Sequence, residues 1–403
     1  MLLPVKATHQ RTREHNVRLV LHTLAEMGPI SRADIARRTR LTRTTVSDVM
    51  VDLFADGLVE EVGRGPSSGG KAPILLRVPR DARQLIGVDV GDGQVRGAIV
   101  NLAGDIHLRD EEPLGGRDGD EALVRLERLI DRLVSHASGP PLGIGIGTPG
   151  LVDTSTGTVR WAVHLDWRDL PLGARLRART GLPVYVANDS QAAALAEWTF
   201  GGHAPTRGMI VVKVGTGIGA GIIIDGRLYQ GDGFGAGEIG HTRSAGNGLP
   251  CRCGRRGCLE TVASLPATLA SATSRAARHP ESSLAGSGRA ADNGGVTLET
   301  LLAAFAAGDA LAVEVVRQAG AHLGQTLGGV IGALDIHDIV LIGPMTAFGE
   351  GWLEAVQQEA RRSALALLSD HTHISLGRLG GDVVELGAAA LLMTAELGLS
   401  LAA

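Results

Sequence analysis

The first part of the chain alternates amphipathic helical patterns with short turns. Apolar residues recur at spacings of three and four from Val17 to Leu24, which predicts a helix that ends near the sequence MGP. Two shorter helices are predicted next, because Ser31 and Thr42 are good N-cap residues and Gly57 is a good stop. Two short helices joined by a tight turn are typical of a helix-turn-helix.

A strand-turn-strand pattern follows in the segment LVEEVGRGPSSGGKAPILLRV, where two β-prone runs flank a tip of Gly, Pro and Ser. It predicts a winged hairpin, which completes a winged helix-turn-helix DNA-binding domain over residues 1–80. Small polar residues early in the third helix are candidates for reading base edges, and basic residues around them are candidates for contacting phosphates. The first group is Arg43, Thr44, Thr45 and Ser47, and the second is Arg32, Arg64 and Lys71.

The distribution of charge favours a polyanionic partner for this head. Residues 1–80 hold 13 Lys and Arg against 8 Asp and Glu, a net charge of +5, so the remaining residues carry −9 of the chain's total of −4. A basic head on an acidic body is typical of a domain that meets nucleic acid. The alternative is a three-helix adaptor whose basic residues merely solvate one face.

Two glycine-rich hairpins are predicted in the body. The first, RQLIGVDVGDGQVRGAIV, presents Asp89 and the backbone amides from Gly91 to Gly93. The second, MIVVKVGTGIGAGIIIDG, lies 124 residues further on when Gly91 is matched to Gly215. Together they predict two similar α/β lobes facing a cleft, with unhindered amides that can converge on phosphate oxygens. Each loop alone is equally consistent with an ordinary glycine turn.

Two further clusters lie between the hairpins. The segment PLGIGIGTPGLVD is a buried-strand pattern ending in a Gly-Thr-Pro-Gly turn, which predicts a close approach of the backbone to a ligand or to another segment. The segment LPVYVANDSQAAALAEW is a strand that breaks into a helix, with Asn188 and Asp189 at the junction. Side chains there point beyond the strand end. The simpler interpretation is that Asp189 and Ser190 only cap the helix.

All three cysteines of the chain lie between Cys251 and Cys258, and His241 stands ten residues before the first of them. Three thiolates and an imidazole form a closed tetrahedral Zn²⁺ site, which is structural because no position is left for a catalytic water. One zinc ion per chain is therefore predicted, held by His241, Cys251, Cys253 and Cys258. The alternatives are unligated cysteines in a surface loop and a nucleic-acid-binding zinc finger, although the segment lacks a helix that could enter a groove.

Two carboxylates flank this cysteine cluster. Glu238 precedes it and Glu260 follows it directly. A bound zinc ion would fix both carboxylates in space. Two fixed carboxylates suit the hydroxyl groups of a polyol, because each can accept hydrogen bonds from them.

Composition narrows the class of protein. Aromatic residues make up only 3% of the 403 residues, so the core is expected to consist of Ala, Leu, Val and Ile. An odd number of clustered cysteines excludes a disulfide framework. The uncharged apolar stretch from Leu386 to Ala395 predicts a buried helix and is too short to cross a bilayer. No secretory signal pattern is found at the N-terminus, so a cytoplasmic location without a membrane partner is expected.

In this order the motifs resemble the ROK family (repressors, open reading frames and sugar kinases), and more narrowly its branch with an N-terminal winged helix-turn-helix. The most specific part is GEIGHT followed by CRCGRRGCLE, and the resemblance runs from about residue 11 to residue 397. It implies an actin-like, ribonuclease-H-like α/β body of two lobes. The first lobe would be residues 81–205 with a returning helix at about 385–400, and the second would be residues 206–384 with the zinc-binding loop.

The resemblance also assigns roles to individual residues. It implies that the residue matching Asp189 is, in kinase members, the base that takes the proton from the attacking sugar hydroxyl. It implies the same zinc ligands as the spacing does. The implied sugar-binding residues are Asn188, Asp189, Glu238, His241 and Glu260.

The nucleotide side departs from the kinase pattern. Kinase members carry Asp-x-Gly-Gly-Thr-Lys in the first hairpin, whereas this chain reads Asp-Val-Gly-Asp-Gly-Gln from Asp89 to Gln94. The Thr hydroxyl and the Lys charge are missing, and Asp92 places a carboxylate where phosphates would approach. Pro344 stands in a loop that is glycine-rich in the family. Unlike glycine, proline has no backbone N–H that could donate a hydrogen bond. The residues interpreted as a vestigial nucleotide site are Asp89, Gly91, Gly215, Thr216 and Gly217.

The expected function is a sugar-responsive, DNA-binding transcriptional regulator, a repressor of carbohydrate-utilisation genes rather than an enzyme. It is expected to act as a homodimer or dimer of dimers on a pseudo-palindromic operator in double-stranded DNA, with a small sugar as effector. The alternative is an ATP-dependent sugar kinase that carries a DNA-binding head, with Asp189 as its base. His164 stands where members of the family often have an Asn, in the loop near the sugar. Residues 266–296 are predicted to be a partly flexible insertion.

Overall fold

The computed structural model describes residues 9–66, 72–91, 93–204, 206–244, 248–285 and 295–399. In the head, Ser31 caps the second helix by accepting a hydrogen bond from the Asp34 amide at 3.2 Å, and Thr42 caps the third by accepting one from the Thr45 amide at 3.1 Å. The predicted N-caps are thus confirmed. The elements of the head are α1 (His9–Met27), β1 (Ile30–Ser31), α2 (Arg32–Thr39), α3 (Arg43–Ala55), β2 (Glu60–Arg64) and β3 (Ile74–Arg77).

The wing is a hairpin, as predicted, with one strand more than the sequence indicates. Strands β2 and β3 pair antiparallel, and the short β1 pairs with the free edge of β3, giving the sheet order β1-β3-β2. The tip of the wing, which includes the predicted phosphate contact Lys71, lies outside the described residues.

The first lobe is built on a five-stranded sheet of order β11-β7-β4-β5-β6, with a separate three-stranded sheet of order β10-β9-β8 beside it. Its elements are β4 (Leu85–Val90), β5 (Gln94–Val100), β6 (Ile106–Pro113), α4 (Gly119–His136), β7 (Ile144–Thr148), β8 (Leu151–Asp153), β9 (Thr158–Ala162), β10 (Trp167–Leu170), α5 (Leu172–Thr180), β11 (Val184–Asn188) and α6 (Asp189–Phe200).

The second lobe is built on another five-stranded sheet, of order β14-β13-β12-β15-β16. Its elements, and the helix that follows it, are β12 (Gly208–Val214), β13 (Ile218–Ile224), β14 (Arg227–Tyr229), α7 (Glu260–Ala263), α8 (Leu265–Ala276), α9 (Leu298–Ala306), α10 (Ala310–Leu334), β15 (Asp338–Ile342), α11 (Gly349–Ser363), α12 (Ala366–Ser369), β16 (His373–Leu376) and α13 (Val383–Leu397).

The two five-stranded sheets repeat one topology. In the first, β4, β5 and β6 form an antiparallel meander, and β7 and β11 add in parallel on the other side of β4. In the second, β12, β13 and β14 form the meander, and β15 and β16 add in parallel beside β12. Each glycine-rich segment is therefore the first hairpin of its sheet, which confirms the prediction of two similar lobes.

Helix α13 brings the chain back to the first sheet, as predicted. It packs against α6, β4 and β7. This approach is so close that several positions must be glycine, among them Gly87, whose Cβ would lie 2.0 Å from the carbonyl oxygen of Glu385. A Cβ on Gly145 would lie 1.8 Å from the carbonyl oxygen of Ala388, and one on Gly387 would lie 1.7 Å from the carbonyl oxygen of Ala192.

The head packs on the first lobe through a shared core. Leu21 and Met50 of the head belong to the same buried apolar cluster as Leu392 of α13. Arg18 of α1 also donates a hydrogen bond to the carbonyl oxygen of Ala395 at 3.3 Å. Helices α1 and α13 are therefore joined by both apolar packing and a hydrogen bond.

The prediction of a flexible insertion is wrong for its first part. Residues Leu265–Ala276 form α8, which Ser264 caps by accepting a hydrogen bond from the Ala267 amide. The Ala-rich composition taken as a sign of flexibility is instead that of a good helix former. Residues 286–294 lie outside the described residues. No helix in the described part of the chain is long and apolar enough to cross a bilayer.

Candidate functional site

The junction of β11 and α6 places two polar side chains at the cleft between the lobes. Asn188 caps α6 by accepting hydrogen bonds from the amides of Ser190 at 2.9 Å and Gln191 at 3.3 Å. Its own amide donates to the carbonyl oxygen of Gly150 at 3.0 Å, which fixes the Gly-Thr-Pro-Gly turn beside it. The simpler interpretation of Asp189 as the cap is therefore wrong, because Asn188 fills that role.

Asp189 instead forms an ion pair across the cleft. Its Oδ2 lies 2.5 Å from Nζ of Lys213, which stands on β12 of the second lobe, and its Oδ1 accepts a hydrogen bond from the Ser190 amide at 2.7 Å. Burial alone would raise the pKa of Asp189, but the Lys213 charge and these hydrogen bonds hold the pKa of that carboxyl below its ordinary value. Asp189 is thus a fixed, ionised acceptor.

A cavity of about 240 Å³ opens between the lobes in front of this pair. Glu260 is oriented by the amide of Ile218, which donates to its Oε2 at 3.3 Å. Burial raises the pKa of Glu238, the other carboxyl that the sequence singles out. The structure brings the five predicted sugar-binding residues together around this cavity: Asn188, Asp189, Glu238, His241 and Glu260.

The four predicted metal ligands converge beside the cavity. The ligand atoms of His241, Cys251, Cys253 and Cys258 all lie within 4.8 Å of one another. Nδ1 of His241 is 3.7 Å from Sγ of Cys251, and the Sγ atoms of Cys253 and Cys258 are 3.6 Å apart. Metal–sulfur and metal–nitrogen bonds of about 2.3 and 2.0 Å in a tetrahedron give edges of this length. The donor set therefore fits one metal ion.

The metal cluster is also connected to the cavity. Nε2 of His241, the ring nitrogen turned away from the cysteines, lies 3.7 Å from Oε2 of Glu238. A ligand histidine commonly directs its second nitrogen to a carboxylate in this way. Cys253 and Glu260 both line the cavity. Metal binding would therefore fix the wall that carries both glutamates.

A second cavity, of about 500 Å³, lies on the other side of the glycine hairpins. Four of the predicted nucleotide residues line it, namely Asp89, Gly91, Gly215 and Thr216, together with Pro344. The fifth, Gly217, was expected there, but it lines the first cavity, because it lies on the Glu260 side of its turn. Asp92 lies outside the described residues.

Lys213 stands where the two cavities meet, since it lines both of them. Its role was not predicted from the sequence. The one available signal was a lysine inside the apolar strand pattern MIVVKV, where an unpaired charge would be costly. Its partner could not be foreseen, because Asp189 lies on a different lobe.

Asp89 is held by a chain of charges on the second-cavity side. Its Oδ2 accepts a hydrogen bond from Arg96 at 2.6 Å, and Arg96 also lies 3.4 Å from Oε1 of Glu385 on α13. Burial raises the pKa of Asp89, against the opposing charges of Lys213 and Arg96. The arginine that would be free to contact a phosphate is thus engaged by two carboxylates of the protein.

The mouth of the first cavity carries side chains that the sequence analysis did not select. Trp161 and Val163 of the first lobe are exposed and line it. Arg252, between two of the cysteines, donates to Nδ1 of His164 at 3.0 Å and so connects the two lobes at the rim.

The predicted DNA-contacting residues are arranged unequally on the head. Arg43, Thr44 and Ser47 are exposed at the start of α3, whereas Thr45 is half-buried and its hydroxyl contacts that of Thr42 at 2.8 Å. Arg64 is exposed at the end of β2. The guanidinium of Arg32 is exposed and lies 5.7 Å from the ring centre of Phe54.

Comparison with known proteins agrees with this architecture. The model of the ROK family matches residues 85–395. A xylose repressor of Caldicellulosiruptor bescii is 30% identical over 390 residues, which are 96% of this chain and 97% of the relative. A crystal structure of a ROK family transcriptional regulator, a homologue of the E. coli Mlc protein, has a TM-score of 0.85 at 29% identity and covers 96% of this chain and 98% of its own.

Sugar kinases are similar to the body. A ROK family glucokinase from Streptomyces griseus, solved in complex with glucose and AMPPNP, has a TM-score of 0.70 at 30% identity and covers 76% of this chain and 98% of its own. The relatives that cover 96% of the chain extend the similarity into the head. Since the family model also spans well over half of the sequence, the chain belongs to the ROK family.

Proposed function

We propose that the chain is a transcriptional repressor whose binding to DNA is altered by a sugar held between its two lobes. The observation that carries this proposal is that Asp189, the residue matching the catalytic base of the kinases, is ion-paired with Lys213 at 2.5 Å in a chain that also carries a winged helix-turn-helix head. The relatives named xylose repressor share this head-plus-body length. The sugar would be bound by Asn188, Asp189, Glu238, His241 and Glu260.

The ion pair favours binding over catalysis. A general base works best when its pKa lies near the working pH, and Lys213 moves the pKa of Asp189 the opposite way, below its ordinary value. The ammonium of Lys213 also stands between the two cavities, where a phosphoryl group would have to pass from nucleotide to sugar. Asp189 then serves as an acceptor for a sugar hydroxyl.

One structural zinc ion per chain supports the sugar-binding wall. The ligands would be His241, Cys251, Cys253 and Cys258, whose four donor atoms leave no open position for a reacting water. When bound, the ion supplies rigidity and no chemistry. With its other ring nitrogen bound to the metal, His241 would be fixed in orientation, and its Nε2 would in turn position Glu238.

A physical route connects the cavity with the DNA-binding surface. Asp189 is the first residue of α6, and α6 packs along α13. Helix α13 in turn shares a buried apolar cluster with the head and accepts the hydrogen bond from Arg18 to the carbonyl oxygen of Ala395. A sugar that changes the angle between the lobes would therefore also shift α13 against α1.

The DNA target would be a pseudo-palindromic operator bound by a homodimer, or by a dimer of dimers. One winged helix contacts few phosphates, so two heads on one duplex are needed for useful affinity. The exposed candidates for base contacts are Arg43, Thr44 and Ser47. The hydroxyl of Thr45 is instead engaged with that of the N-cap residue Thr42. The candidates for phosphate contacts are Arg32, Arg64 and Lys71.

Selection of binding sequences from a random DNA pool tests the head. Wild-type protein is expected to enrich a pseudo-palindrome. Arg43→Ala should relax the sequence preference, while Arg64→Ala should weaken binding to all sequences and reduce the salt dependence. Arg207→Ala, an exposed arginine of the second lobe, is the matched control and should change neither. If no sequence is enriched, the repressor proposal fails.

A sugar panel tests the body. D-xylose, D-glucose and other monosaccharides are titrated calorimetrically and then added to the DNA complex. Asp189→Asn should abolish the sugar response and leave sugar-free DNA binding unchanged, whereas Asp225→Asn, an exposed aspartate elsewhere in the body, should behave as wild type. A sugar response that survives in Asp189→Asn would contradict the assignment of this cavity.

The second candidate function is a sugar kinase that carries a DNA-binding head. It is favoured by the 500 Å³ cavity, which keeps Gly215 and Thr216 of the second hairpin in its lining. Sugar-dependent ADP production of about one per second or faster, within the ordinary range for enzymes, would establish this alternative.

A further inference from the structure

One tryptophan of the chain differs from the other three. Trp167, Trp198 and Trp352 are buried, with exposed fractions of 4%, 5% and 0%, whereas Trp161 is 41% exposed. Aromatic residues make up only 3% of this sequence, and most of the rings are either buried or packed against the core. An exposed tryptophan at a cavity mouth is therefore best explained by a ligand that covers it.

Trp161 belongs to an apolar surface rather than standing alone. On the small sheet it is paired directly with Leu151 of β8, so both side chains lie on one face, and both line the cavity. Val163, two residues further on, is 43% exposed and lines the same mouth. We call Leu151, Trp161 and Val163 the apolar platform.

The backbone holds this platform in position. A Cβ on Gly150 would lie 2.1 Å from the carbonyl oxygen of Trp161, so the turn before β8 packs directly on β9. The same turn is anchored to Asn188 through the hydrogen bond to Gly150. The platform is thus fixed relative to the polar residues of the cavity.

The polar and apolar parts of the cavity are separate. The acceptors Asp189 and Asn188 are at the inner end, where the Asp189 side chain is only 13% exposed. The platform is at the open end, next to the Arg252–His164 contact. The space between these two ends has a volume of about 240 Å³.

From this arrangement we infer that the effector is a disaccharide or a longer saccharide, with one ring enclosed among the carboxylates and the next ring lying on Trp161. This inference rests on the proposed sugar-binding function and names its ligand class. A pyranose ring presents C–H groups on one face and hydroxyls at its edge. The C–H face suits the electron-rich face of the indole, and the edge hydroxyls can accept a hydrogen bond from Arg252.

Calorimetry with wild-type protein and one variant tests the inference. The probes are D-xylose, D-glucose, their methyl glycosides, xylobiose, cellobiose and maltose. At least one disaccharide is expected to bind about tenfold more tightly than the best monosaccharide. Trp161→Ala should remove that advantage and leave monosaccharide affinity within about twofold, and Trp161→Phe should keep most of it. Tyr229→Ala, an aromatic of similar exposure on β14, is the control and should change nothing.

Several results would overturn the inference. If monosaccharides bind and no disaccharide binds more tightly, the platform is not a second-ring site, although the proposed function stands. If a methyl glycoside binds as tightly as the disaccharide, the higher affinity comes from blocking the anomeric hydroxyl and not from a second ring. If Trp161→Ala leaves the disaccharide preference intact but shifts the sedimentation coefficient to that of a smaller assembly, Trp161 belongs to a subunit interface. If no saccharide binds at all, this inference and the proposed function both fail.

Discussion

The two glycine hairpins occupy equivalent places in two sheets of the same topology, yet they are held by different means. The first hairpin, β4–β5, is fixed by charge: Asp89 binds Arg96, and Arg96 reaches Glu385 on α13. The second, β12–β13, is fixed by the loop that carries the metal cluster, through the hydrogen bond from the Ile218 amide to Glu260. Two hairpins with the same backbone topology are therefore held in place by different interactions.

The two hairpins therefore differ in the charges that surround them. Around the first hairpin, the carboxylates Asp89 and Glu385 both engage Arg96, so the charge of this arginine is already opposed within the protein. Around the second hairpin, the carboxylates Glu238 and Glu260 remain directed into a cavity. Lys213 and Asp189 connect the two lobes as an ion pair.

Removing the metal ligand Cys253 should have the largest effect, and it should be confined to the second hairpin. Cys253→Ala is expected to lose the zinc ion, to lower the free energy of unfolding by about 5 kcal/mol, and to abolish sugar binding as the loop around Glu260 relaxes. Metal analysis, denaturant unfolding and calorimetry measure the three effects. Arg255→Ala, an exposed non-ligand in the same loop, should retain one zinc ion per chain. Less than half an equivalent of zinc in wild-type protein purified without chelators would contradict the metal assignment.

Breaking the ion pair between the lobes should come next in size. Lys213→Met leaves the Asp189 carboxylate, only 13% exposed, without its cation, and is expected to cost about 4 kcal/mol of stability. The double variant Lys213→Met with Asp189→Asn should recover much of this loss, because it leaves no unpaired charge. Urea unfolding of the two single variants and the double variant gives the coupling energy. Additive losses would mean that the pair does not hold the lobes together.

A feature of this site can be predicted from the sequence when the residues that form it are close together along the chain. N-caps, glycine hairpins and the His/Cys cluster that could hold a metal ion are local patterns, and the structure contains each of them. Asp89 and Arg96 are partners within one predicted hairpin, but Glu385 lies on α13, far away in sequence, so no local pattern reveals its contact with Arg96. The Lys213–Asp189 pair joins two lobes and was missed for the same reason. Trp161 was missed because exposure is a property of the fold.

The charge support of the first hairpin should respond to pH. Burial and the nearby Asp89 raise the pKa of Glu385 to about 7, and Arg96 only partly opposes them. A raised carboxyl pKa favours folding below the ordinary pKa, and this contribution is lost as the pH rises to about 7. The wild-type protein should therefore lose up to about 3 kcal/mol of stability from this group between pH 4.5 and 8.

Glu385→Gln isolates this contribution. The variant should match wild type near pH 5 and be the more stable of the two at pH 8. Asp382→Asn is the control of opposite sign. The hydrogen bond from Arg109 lowers the pKa of Asp382, so the ionised carboxylate stabilises the fold. Replacing this carboxylate should therefore destabilise the protein at pH 7. Parallel pH profiles for wild type and Glu385→Gln would show that the buried carboxyl titrates normally.

The smallest expected effect distinguishes the one hairpin glycine that faces Glu260 from its neighbours at the level of one methyl group. A Cβ on Gly217 would lie 2.8 Å from Oε2 of Glu260, whereas one on Gly91 would meet Asp89 at 3.4 Å and one on Gly215 would meet Pro344 at 3.5 Å, both ordinary contacts. Gly217→Ala should therefore displace the glutamate and weaken sugar binding about five- to tenfold, roughly 1 kcal/mol, without unfolding the protein. Gly91→Ala and Gly215→Ala should bind sugar as wild type does. Calorimetric titration of the three variants with the same sugar makes the comparison. Equal losses in all three would mean that both loops respond alike and that Glu260 has no special link to the second hairpin.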